Sequence, residues 1–419
     1  MNLRKTLFGV AAIGLSLTLA ACGGGPSATP TPTDTGTPPE TQPATPPADA
    51  GTVNIWVDET RTADFQELAQ DFQAQTGITL NVIEKPSADL KTDFVAQVPT
   101  GEGPDLVVGA HDWTGDFVKN GVVAPVELGD KLDSMTPLTV TAFTMGGAVY
   151  GVPYAIENIA LVRNNAMVQD TPATFDELIA QGKATEGADF PVMLQQGPNG
   201  DAYHMYPIQT SFGATVFKIE NGEYTTELGM GGPAGEAFAT YLQKLGQDGV
   251  VSVNIEADQA KQAFLDGKSP YIITGPWYVA DFEAAGMDIS VLPVPSAGGQ
   301  PSAPFVGVQG VYLSSRSENA LLANQFLDYM TSKDVQDKLF ELGGRVPANA
   351  ESAAAVDDPI LAGFAEAGKE GQAMPAIPEM AAVWTFWGAA QAAILSGQAT
   401  DPVAEWNSMV SNIEGQFGS

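Results

Sequence analysis

Apolar residues recur from residue 53 onward with two alternating periods, one typical of strands and the other typical of helices. Alternating or uninterrupted apolar runs predict strands at 53–57, 78–82 and 104–108. Spacings of three and four residues predict helices at 65–72 and 90–98. This strand–helix–strand–helix–strand order predicts parallel strands joined by right-handed crossovers. Ligands then bind at loops beyond the carboxyl ends of the strands.

The alternation continues through the rest of the chain and predicts a second α/β unit with a largely helical last quarter. The predicted strands are 161–162, 190–194 and 270–274, and the predicted helices are 175–179, 234–245, 257–265, 320–330, 379–395 and 403–413. About 370 residues follow position 50, which suits two domains or one large two-lobed body. The predicted fold class is therefore α/β. The loops at 58–62 and 109–114 follow predicted strands and are the first candidates for function.

The start of the chain has the pattern of a bacterial lipoprotein signal. A basic segment, 1–5, precedes an apolar stretch, 7–21, and Leu19-Ala20-Ala21-Cys22 matches the lipobox. We therefore predict a signal peptide at 1–21 and lipid attachment at Cys22, the only cysteine in 419 residues. A plain secretory signal with an incidental cysteine is the alternative. Residues 22–51 are rich in Pro and Thr and predict a solvated linker that holds the folded body away from the membrane.

Composition excludes several classes of function. With 50 acidic and 18 basic residues the net charge is −32, which repels nucleic acid and anionic lipid. We expect contact with the membrane through the lipid anchor only, and no nucleic-acid partner. The body has no cysteine, only two histidines, and no phosphate loop or nucleophile elbow. We predict no cofactor, no metal site and no catalytic residue, although a carboxylate pair for glycoside hydrolysis stays open.

Six short motifs occur in an order that carries a resemblance. They are Thr76-Gly77-Ile78, Gly101-Glu102-Gly103-Pro104-Asp105-Leu106, Ala110-His111-Asp112, Gly275-Pro276-Trp277, Pro304-Phe305-Val306-Gly307-Val308 and Ile377-Pro378-Glu379-Met380. From about residue 52 to its end the chain resembles the maltose/maltodextrin-binding proteins of ABC importers, within family 1 of the extracellular solute-binding proteins. The resemblance implies a type II periplasmic-binding-protein-like fold. In that fold two lobes, with mixed, mostly parallel sheets and helices on both faces, enclose a ligand cleft.

The resemblance also implies a set of sugar-binding residues. In its pattern an acidic and a basic residue follow the first strand, an aspartate follows the third, and aromatic rings stack on the sugar. A shift of the first acidic match by one position stays open. The candidates in this sequence are Glu59, Thr60, Arg61, Asp112, Trp113, Glu157, Asp201, Tyr203, Trp277, Trp384 and Trp387. Their types suit a pyranose, because aromatic rings cover its C–H faces and charged groups bind its hydroxyls.

The sequence departs from the family pattern at two positions, and one of the candidate residues has an alternative role. Trp113 stands where the family often has arginine, and Gly109 stands where an aromatic residue is usual. Trp387 lies three residues after Trp384 on the same helical face, so core packing is the alternative for its indole. His204 is expected to pack rather than to bind a ligand.

We therefore expect a monomeric sugar receptor of an ABC importer, lipid-anchored to the outer face of the bacterial cytoplasmic membrane. Its partners would be an oligosaccharide and the permease subunits. The N-terminal lobe is expected to comprise 52–156 plus 307–357, and the C-terminal lobe 157–306 plus 358–419. The alternatives are another ligand such as trehalose or a different oligosaccharide, a surface glycosidase using Asp112 and Glu157, and a structural lipoprotein.

Overall fold

The computed structural model describes residues 50–220 and 223–417. The predicted signal peptide, Cys22 and the predicted linker up to residue 49 lie outside the described residues. Within those two ranges, no helix combines the length and the apolar character needed to cross a membrane.

Strands and helices alternate along the described chain. The strands are β1 (Gly51–Asp58), β2 (Ile78–Lys85), β3 (Leu106–Ala110), β4 (Val123–Ala124), β5 (Thr144–Met145), β6 (Ala148–Val149), β7 (Gly151–Asn158), β8 (Ala160–Asn164), β9 (Phe217–Glu220), β10 (Glu223–Leu228), β11 (Tyr271–Thr274), β12 (Ile289–Leu292), β13 (Phe305–Ser314), β14 (Val346–Pro347) and β15 (Gln372–Ala373).

The α-helices are α1 (Thr62–Thr76), α2 (Ser87–Gln97), α3 (Thr114–Lys119), α4 (Pro137–Ala142), α5 (Phe175–Ala184), α6 (Ala202–Thr210), α7 (Gly232–Gln247), α8 (Ala257–Leu265), α9 (Val279–Ala284), α10 (Ala320–Met330), α11 (Lys333–Gly343), α12 (Ala350–Ala355), α13 (Pro359–Ala367), α14 (Glu379–Leu395) and α15 (Pro402–Glu414). Gly77 ends α1 with a φ of 75°, a left-handed conformation that glycine adopts without strain, and its N–H bonds the carbonyl of Gln73.

The larger sheet has eight strands in the order β14–β7–β13–β3–β1–β2, and β4 and β15 also pair with β13. β1 runs parallel to β2 and β3, as the strand–helix–strand order predicts. The carboxyl ends of β1 and β3 therefore lie at the same edge of the sheet. The loop at 59–61 follows β1 there, and a 3₁₀ turn, His111–Trp113, follows β3.

The smaller sheet has β8 in its centre with β11 and β12 on either side, both antiparallel to it. β7 belongs to the larger sheet and ends at Asn158, whereas β8 begins at Ala160, so the chain passes between the sheets across Ile159. β13 follows β12 and returns the chain to the larger sheet.

Helices cover both faces of each sheet, so the chain forms two lobes. In the larger sheet, Ile55 packs with α1, α10 and α11 on one face, while Trp56 packs with α2 and α3 on the other. In the smaller sheet, Leu161 packs with α5, α6, α7, α14 and α15, while Val162 packs with α8, α9 and α13. Neighbouring residues of a strand thus contribute to opposite cores.

Two expectations about the strands need correction. Antiparallel pairs outnumber parallel ones, because β13 runs against β3 and β7 and the smaller sheet is wholly antiparallel. The predicted strand at 190–194 is only a single bridge between Met193 and Ile272. Pro191 lies within this segment and has no N–H for a ladder.

Candidate functional site

A cavity of about 1110 Å³ lies between loops of the larger sheet and elements that surround the smaller sheet. On one side it is lined by the loop after β1, the turn after β3 and part of α2. On the other side it is lined by the start of α6, the turn after β11 and part of α14. It brings together ten of the eleven predicted residues: Glu59, Thr60, Arg61, Asp112, Trp113, Glu157, Asp201, Tyr203, Trp277 and Trp384.

Two tryptophans of this cavity are each seated on a glycine. Trp113 ends the 3₁₀ turn after β3, and its six-membered ring lies where a Cβ on Gly109 would be, at 2.3 Å. Trp277 lies in the 3₁₀ turn Pro276–Tyr278 after β11, and a Cβ on Gly275 would lie 1.9 Å from its ring. Gly109 thus leaves room for an indole supplied four residues later, which explains why an aromatic residue is absent at that position.

Trp384 joins α14 to the turn that carries Asp112. Its indole nitrogen donates to Asp112 Oδ2 at 3.1 Å. Its ring stacks on Trp387, with centroids 5.4 Å apart and planes 26° apart. Trp384 is half-buried, so its indole is supported from behind and still lines the cavity.

Trp387 does not line the cavity, and its prediction as a sugar-binding residue is wrong in this structure. Its side chain is fully buried, and its indole N–H donates to Gln209 Oε1 at 2.9 Å. Tyr206 and Phe305 pack edge-on against the same indole. Trp387 therefore belongs to the core and acts on the cavity only through the ring of Trp384.

Arg61 and Glu157 form the centre of a buried ionic network rather than two free groups. Arg61 Nη2 donates to Glu157 Oε1 at 2.9 Å, Nη1 pairs with Asp58, and Nε donates to the hydroxyl of Tyr154 at 2.8 Å. Burial opposes the charge of Arg61, but Asp58, Tyr154 and Glu157 outweigh it and raise the pKa of Arg61 well above its ordinary value. The guanidinium therefore stays charged.

The network extends to residues that the sequence did not suggest. Arg345 Nε donates to Glu157 Oε2 at 3.2 Å, and Gln309 Nε2 donates to Glu157 Oε1 at 2.7 Å. Arg345 Nη2 also donates to the carbonyl and hydroxyl oxygens of Thr60, at 3.3 and 3.2 Å. Glu157, with both oxygens engaged, thus ties β7 to β13, to the loop after β1 and to the residue before β14.

Asp58 and Glu59, at the end of β1, make different contacts, and only one of them pairs with Arg61. Both carboxylate oxygens of Glu59 accept hydrogen bonds from Ser87, through its N–H and its hydroxyl, each at 2.9 Å. Asp58 is the residue that pairs with Arg61, and it also accepts from the N–H and the hydroxyl of Thr60. The acidic partner of Arg61 is therefore Asp58, one position before Glu59.

Asp201 and Tyr203 face the cavity from the start of α6. Asp201 caps this helix, since its Oδ1 accepts the N–H of His204 at 2.9 Å, and its Oδ2 accepts from Gln195 Nε2 at 2.7 Å. Burial and the carboxylates of Glu157, Asp201 and Asp112 raise the pKa of Tyr203 well above its ordinary value. Its hydroxyl therefore stays protonated, as a donor among acidic groups.

Residues 67–376 match the family model described as "Bacterial extracellular solute-binding protein". This match covers more than half of the chain, in the region that contains β2 to β15 and most of the cavity wall. The chain belongs to the bacterial extracellular solute-binding proteins.

Individual members and solved structures agree with this assignment. The maltotriose-binding protein of Pyrococcus abyssi is 28% identical over 355 residues, which cover 80% of this chain and 75% of that protein. The galactooligosaccharide-binding protein of Bacillus subtilis is 24% identical over 96% of this chain and 95% of its own. The structure of a Thermus thermophilus maltotriose binding protein bound with maltotriose superposes with a TM-score of 0.80 at 30% identity, over 87% of this chain and all of that one.

Several wall residues of this solute-binding protein had no sequence signal. Lys91 of α2 and Asp116 of α3 form an ion pair of 3.1 Å beside Trp113. Gln309 lies within strand β13, among mostly apolar residues. Arg345, behind the wall, reaches Glu157 from a distant part of the sequence. Only Asp58 had a usable signal, because it directly follows the strand predicted at 53–57 and begins the candidate loop 58–62. Within residues 50–220 and 223–417, no group of three His, Cys, Asp or Glu side chains could hold a metal ion.

Proposed function

We propose that this chain is the sugar receptor of an ABC importer and that it binds maltodextrin-type oligosaccharides in the cavity between its lobes. One observation carries the proposal: indoles from three separate elements, Trp113, Trp277 and Trp384, line one cavity with the carboxylates of Asp112 and Asp201. Flat apolar rings beside hydroxyl acceptors are the complement of a pyranose chain.

The proposed roles follow from which side chains still have a ring face or a hydrogen-bonding atom available to a ligand. The three indoles stack on sugar rings, and Asp112, Asp201 and Tyr203 bind hydroxyls. Glu59 and Thr60 line the rim and keep the loop after β1 attached to α2 and to Arg345. Arg61 and Glu157 shape the floor of the cavity through the buried network. Any hydrogen bond that they make to the sugar uses a donor or acceptor site that the network leaves unoccupied.

The size of the cavity favours an oligosaccharide. A volume of about 1110 Å³ lies above the range of roughly 300–1,000 Å³ that suits a drug-sized ligand. Relatives named for maltotriose support an α-glucoside chain. A relative named for galactooligosaccharide supports a second candidate, a receptor for another short oligosaccharide.

We propose that the lobes comprise 52–156 plus 307–357 and 157–306 plus 358–419. Sugar would favour the closed arrangement of the lobes, and the permease would recognise that form. Closure would bend the crossings near 155–158, 304–308 and 357–359. The passage of the chain from β7 to β8 across one residue, Ile159, supports the first of these.

The receptor would act as a monomer outside the cell and would be attached to the membrane by a lipid on Cys22. The family description supports an extracellular protein. The lipobox and the Pro- and Thr-rich segment support the anchor. Replacement of Cys22 by Ser would then release sugar-binding protein into the medium, whereas a protein that stays cell-associated would contradict the anchor.

We further propose that the protein breaks no bond. A glycosidase would need one carboxyl group as a general acid, and Glu157 of the candidate pair is already held by Arg61, Arg345 and Gln309. Both of its carboxylate oxygens already accept hydrogen bonds within the network.

A thermal-shift panel tests the proposal. Maltotriose, maltotetraose, trehalose and a galactotriose are each added to the purified protein at many times a micromolar dissociation constant. A ligand at about 100 times its Kd adds roughly 2.7 kcal/mol to the free energy of unfolding. We expect the two maltodextrin-type sugars, maltotriose and maltotetraose, to raise the melting temperature. A shift with galactotriose alone would select the second candidate, and no shift with any sugar would refute both.

A further inference from the structure

His204 has one ring nitrogen with a partner and one without. Nδ1 lies 2.8 Å from Asp201 Oδ2. Nε2 is buried and has no hydrogen-bond partner among the described residues. Buried polar atoms are nearly always hydrogen-bonded, so an unpaired one in a cavity wall requires a physical explanation.

The contact with Asp201 decides which nitrogen carries the proton. A carboxylate only accepts hydrogen bonds, so Nδ1 of His204 is the N–H that donates to Asp201. Nε2 is the second polar atom of the ring, and a hydroxyl group, which both donates and accepts, can bond to it in either protonation state. Nε2 has no such partner among the described residues.

The surroundings of His204 are the groups proposed to hold a sugar ring. Its imidazole packs edge-on against Trp277, with centroids 5.9 Å apart, and against Tyr203 at 5.3 Å. These three residues and Asp201 line the same cavity. A hydroxyl at the edge of a ring that stacks on Trp277 is the nearest class of hydrogen-bonding group that the proposed ligand offers.

We propose that His204 is a specificity-determining residue: its Nδ1–H fixes the Asp201 carboxylate, and its Nε2 forms a hydrogen bond with one hydroxyl of the sugar ring on Trp277. The inference rests on the proposed function. It differs from the expectation that His204 packs rather than binds a ligand.

Two substitutions separate the two nitrogens. His204→Asn keeps a donor near the position of Nδ1 and removes the polar atom at Nε2, whereas His204→Phe keeps an aromatic ring and removes both polar atoms. Titration calorimetry with maltotriose should show about a fivefold to tenfold rise in Kd for His204→Asn, the loss typical of one hydrogen bond. The rise should be larger for His204→Phe. Wild-type affinity in His204→Asn would overturn the role of Nε2.

Maltotriose analogues that each lack one hydroxyl identify the partner. One analogue should bind wild-type protein more weakly than maltotriose does, yet bind His204→Asn with little further loss. Equal losses for every analogue in both proteins would mean that His204 acts on the fold alone, and would overturn the hydroxyl contact.

A measurement without sugar keeps this inference distinct from the proposed function. Burial alone would raise the pKa of Asp201, but His204 and Gln195 outweigh it and hold that pKa below its ordinary value. Carboxyl NMR titration should show a higher pKa for Asp201 in both variants, because both remove the imidazole, and the larger rise in His204→Phe, which also removes the side-chain donor. If wild-type protein binds no oligosaccharide, both the proposed function and the Nε2 contact are refuted. An unchanged Asp201 pKa in His204→Phe would overturn the positioning role independently.

Discussion

The indole nitrogen of Trp384 donates to a carboxylate oxygen of Asp112 at 3.1 Å, which joins helix α14 to the turn after strand β3. The two residues come from opposite walls of the cavity. The bond orients Asp112 and leaves the indole face opposite Trp387 for stacking on a sugar. Trp384 therefore has two separable contributions, one from its ring and one from its N–H.

Substitution of Trp384 by Phe and by Ala separates these contributions. Phe keeps a stacking face and loses the N–H, so the Kd for maltotriose should rise a few-fold, for a loss of about 1 kcal/mol. Ala removes both the ring and the N–H. A loss of about 2 kcal/mol or more in binding free energy is typical when a buried aromatic contact is removed. Titration calorimetry measures both. Equal affinity of the Ala variant and wild type would remove Trp384 from the site.

Addition of a methyl group beneath the other two indoles should displace them. A Cβ on Gly109 would lie 2.3 Å from the ring of Trp113, and a Cβ on Gly275 would lie 1.9 Å from that of Trp277. We expect Gly109→Ala and Gly275→Ala each to weaken sugar binding about tenfold, with an overpacking cost of roughly 1–3 kcal/mol in stability.

Gly415→Ala is the matched control for these variants. A Cβ there meets its nearest atoms at 3.4 and 3.5 Å, which is ordinary contact, and the residue lies after the last helix, α15. It should bind sugar as the wild type does. If the Gly109 and Gly275 variants also bind normally, the indoles are not held by these glycines.

Loss of the Glu157 charge should destabilise the fold strongly. Glu157→Gln leaves two buried arginines with one carboxylate fewer, and removal of one partner of a buried ion pair costs about 3–5 kcal/mol. Glu227→Gln is the control, because the pair of Glu227 with Lys218 is exposed and is worth about 0–1 kcal/mol. Urea unfolding measures both. Similar small losses in the two variants would contradict a structural network at Glu157.

His111 should make stability depend on pH. Its Nδ1 accepts the N–H of Val308 at 3.0 Å and its Nε2–H donates to the Met374 carbonyl at 2.9 Å, so the folded imidazole is neutral. Burial lowers the pKa of His111 below its ordinary 6.5. Unfolded chains therefore bind this proton first, and stability is lost as pH falls below about 6.5, at up to about 1.4 kcal/mol per pH unit.

His111→Gln should remove this pH dependence between about pH 6.5 and 5, as measured by urea unfolding at each pH. A second loss, below the ordinary pKa of 3.8, should persist in the variant. Burial alone would raise the pKa of Asp58, but Arg61, the Thr60 hydroxyl and Arg345 together outweigh it and hold that pKa below 3.8, so protonation favours unfolding there. An identical slope near pH 6 in variant and wild type would exclude His111 as its source.

Local patterns predicted most of the fold. The helices at 257–265, 320–330 and 379–395 begin and end where their apolar spacing indicates. The segment 190–194 failed because composition resembles a strand while Pro191 prevents a ladder. The antiparallel partners of β13 could not be predicted, since pairing depends on contacts between distant segments.

The sequence located cavity-lining residues best where a loop follows a strand, as for Asp112 and Trp277. It failed where the direction of a side chain depends on packing. Trp384 and Trp387 lie three residues apart on a helix that is apolar on most sides, and only tertiary contacts, such as the bond of Trp387 to Gln209, place one indole in the core. Arg345 reaches Glu157 through tertiary structure, which no local pattern records.

The central claim is that the cavity binds an oligosaccharide and leaves it intact. Its most direct test is calorimetric titration of the purified protein with maltotriose, followed by chromatography of the recovered sugar. The account predicts binding of one maltotriose per chain, weakened at least about fivefold by Trp277→Ala, with the sugar recovered unchanged. Absence of binding, or release of glucose and maltose from the sugar, would contradict it.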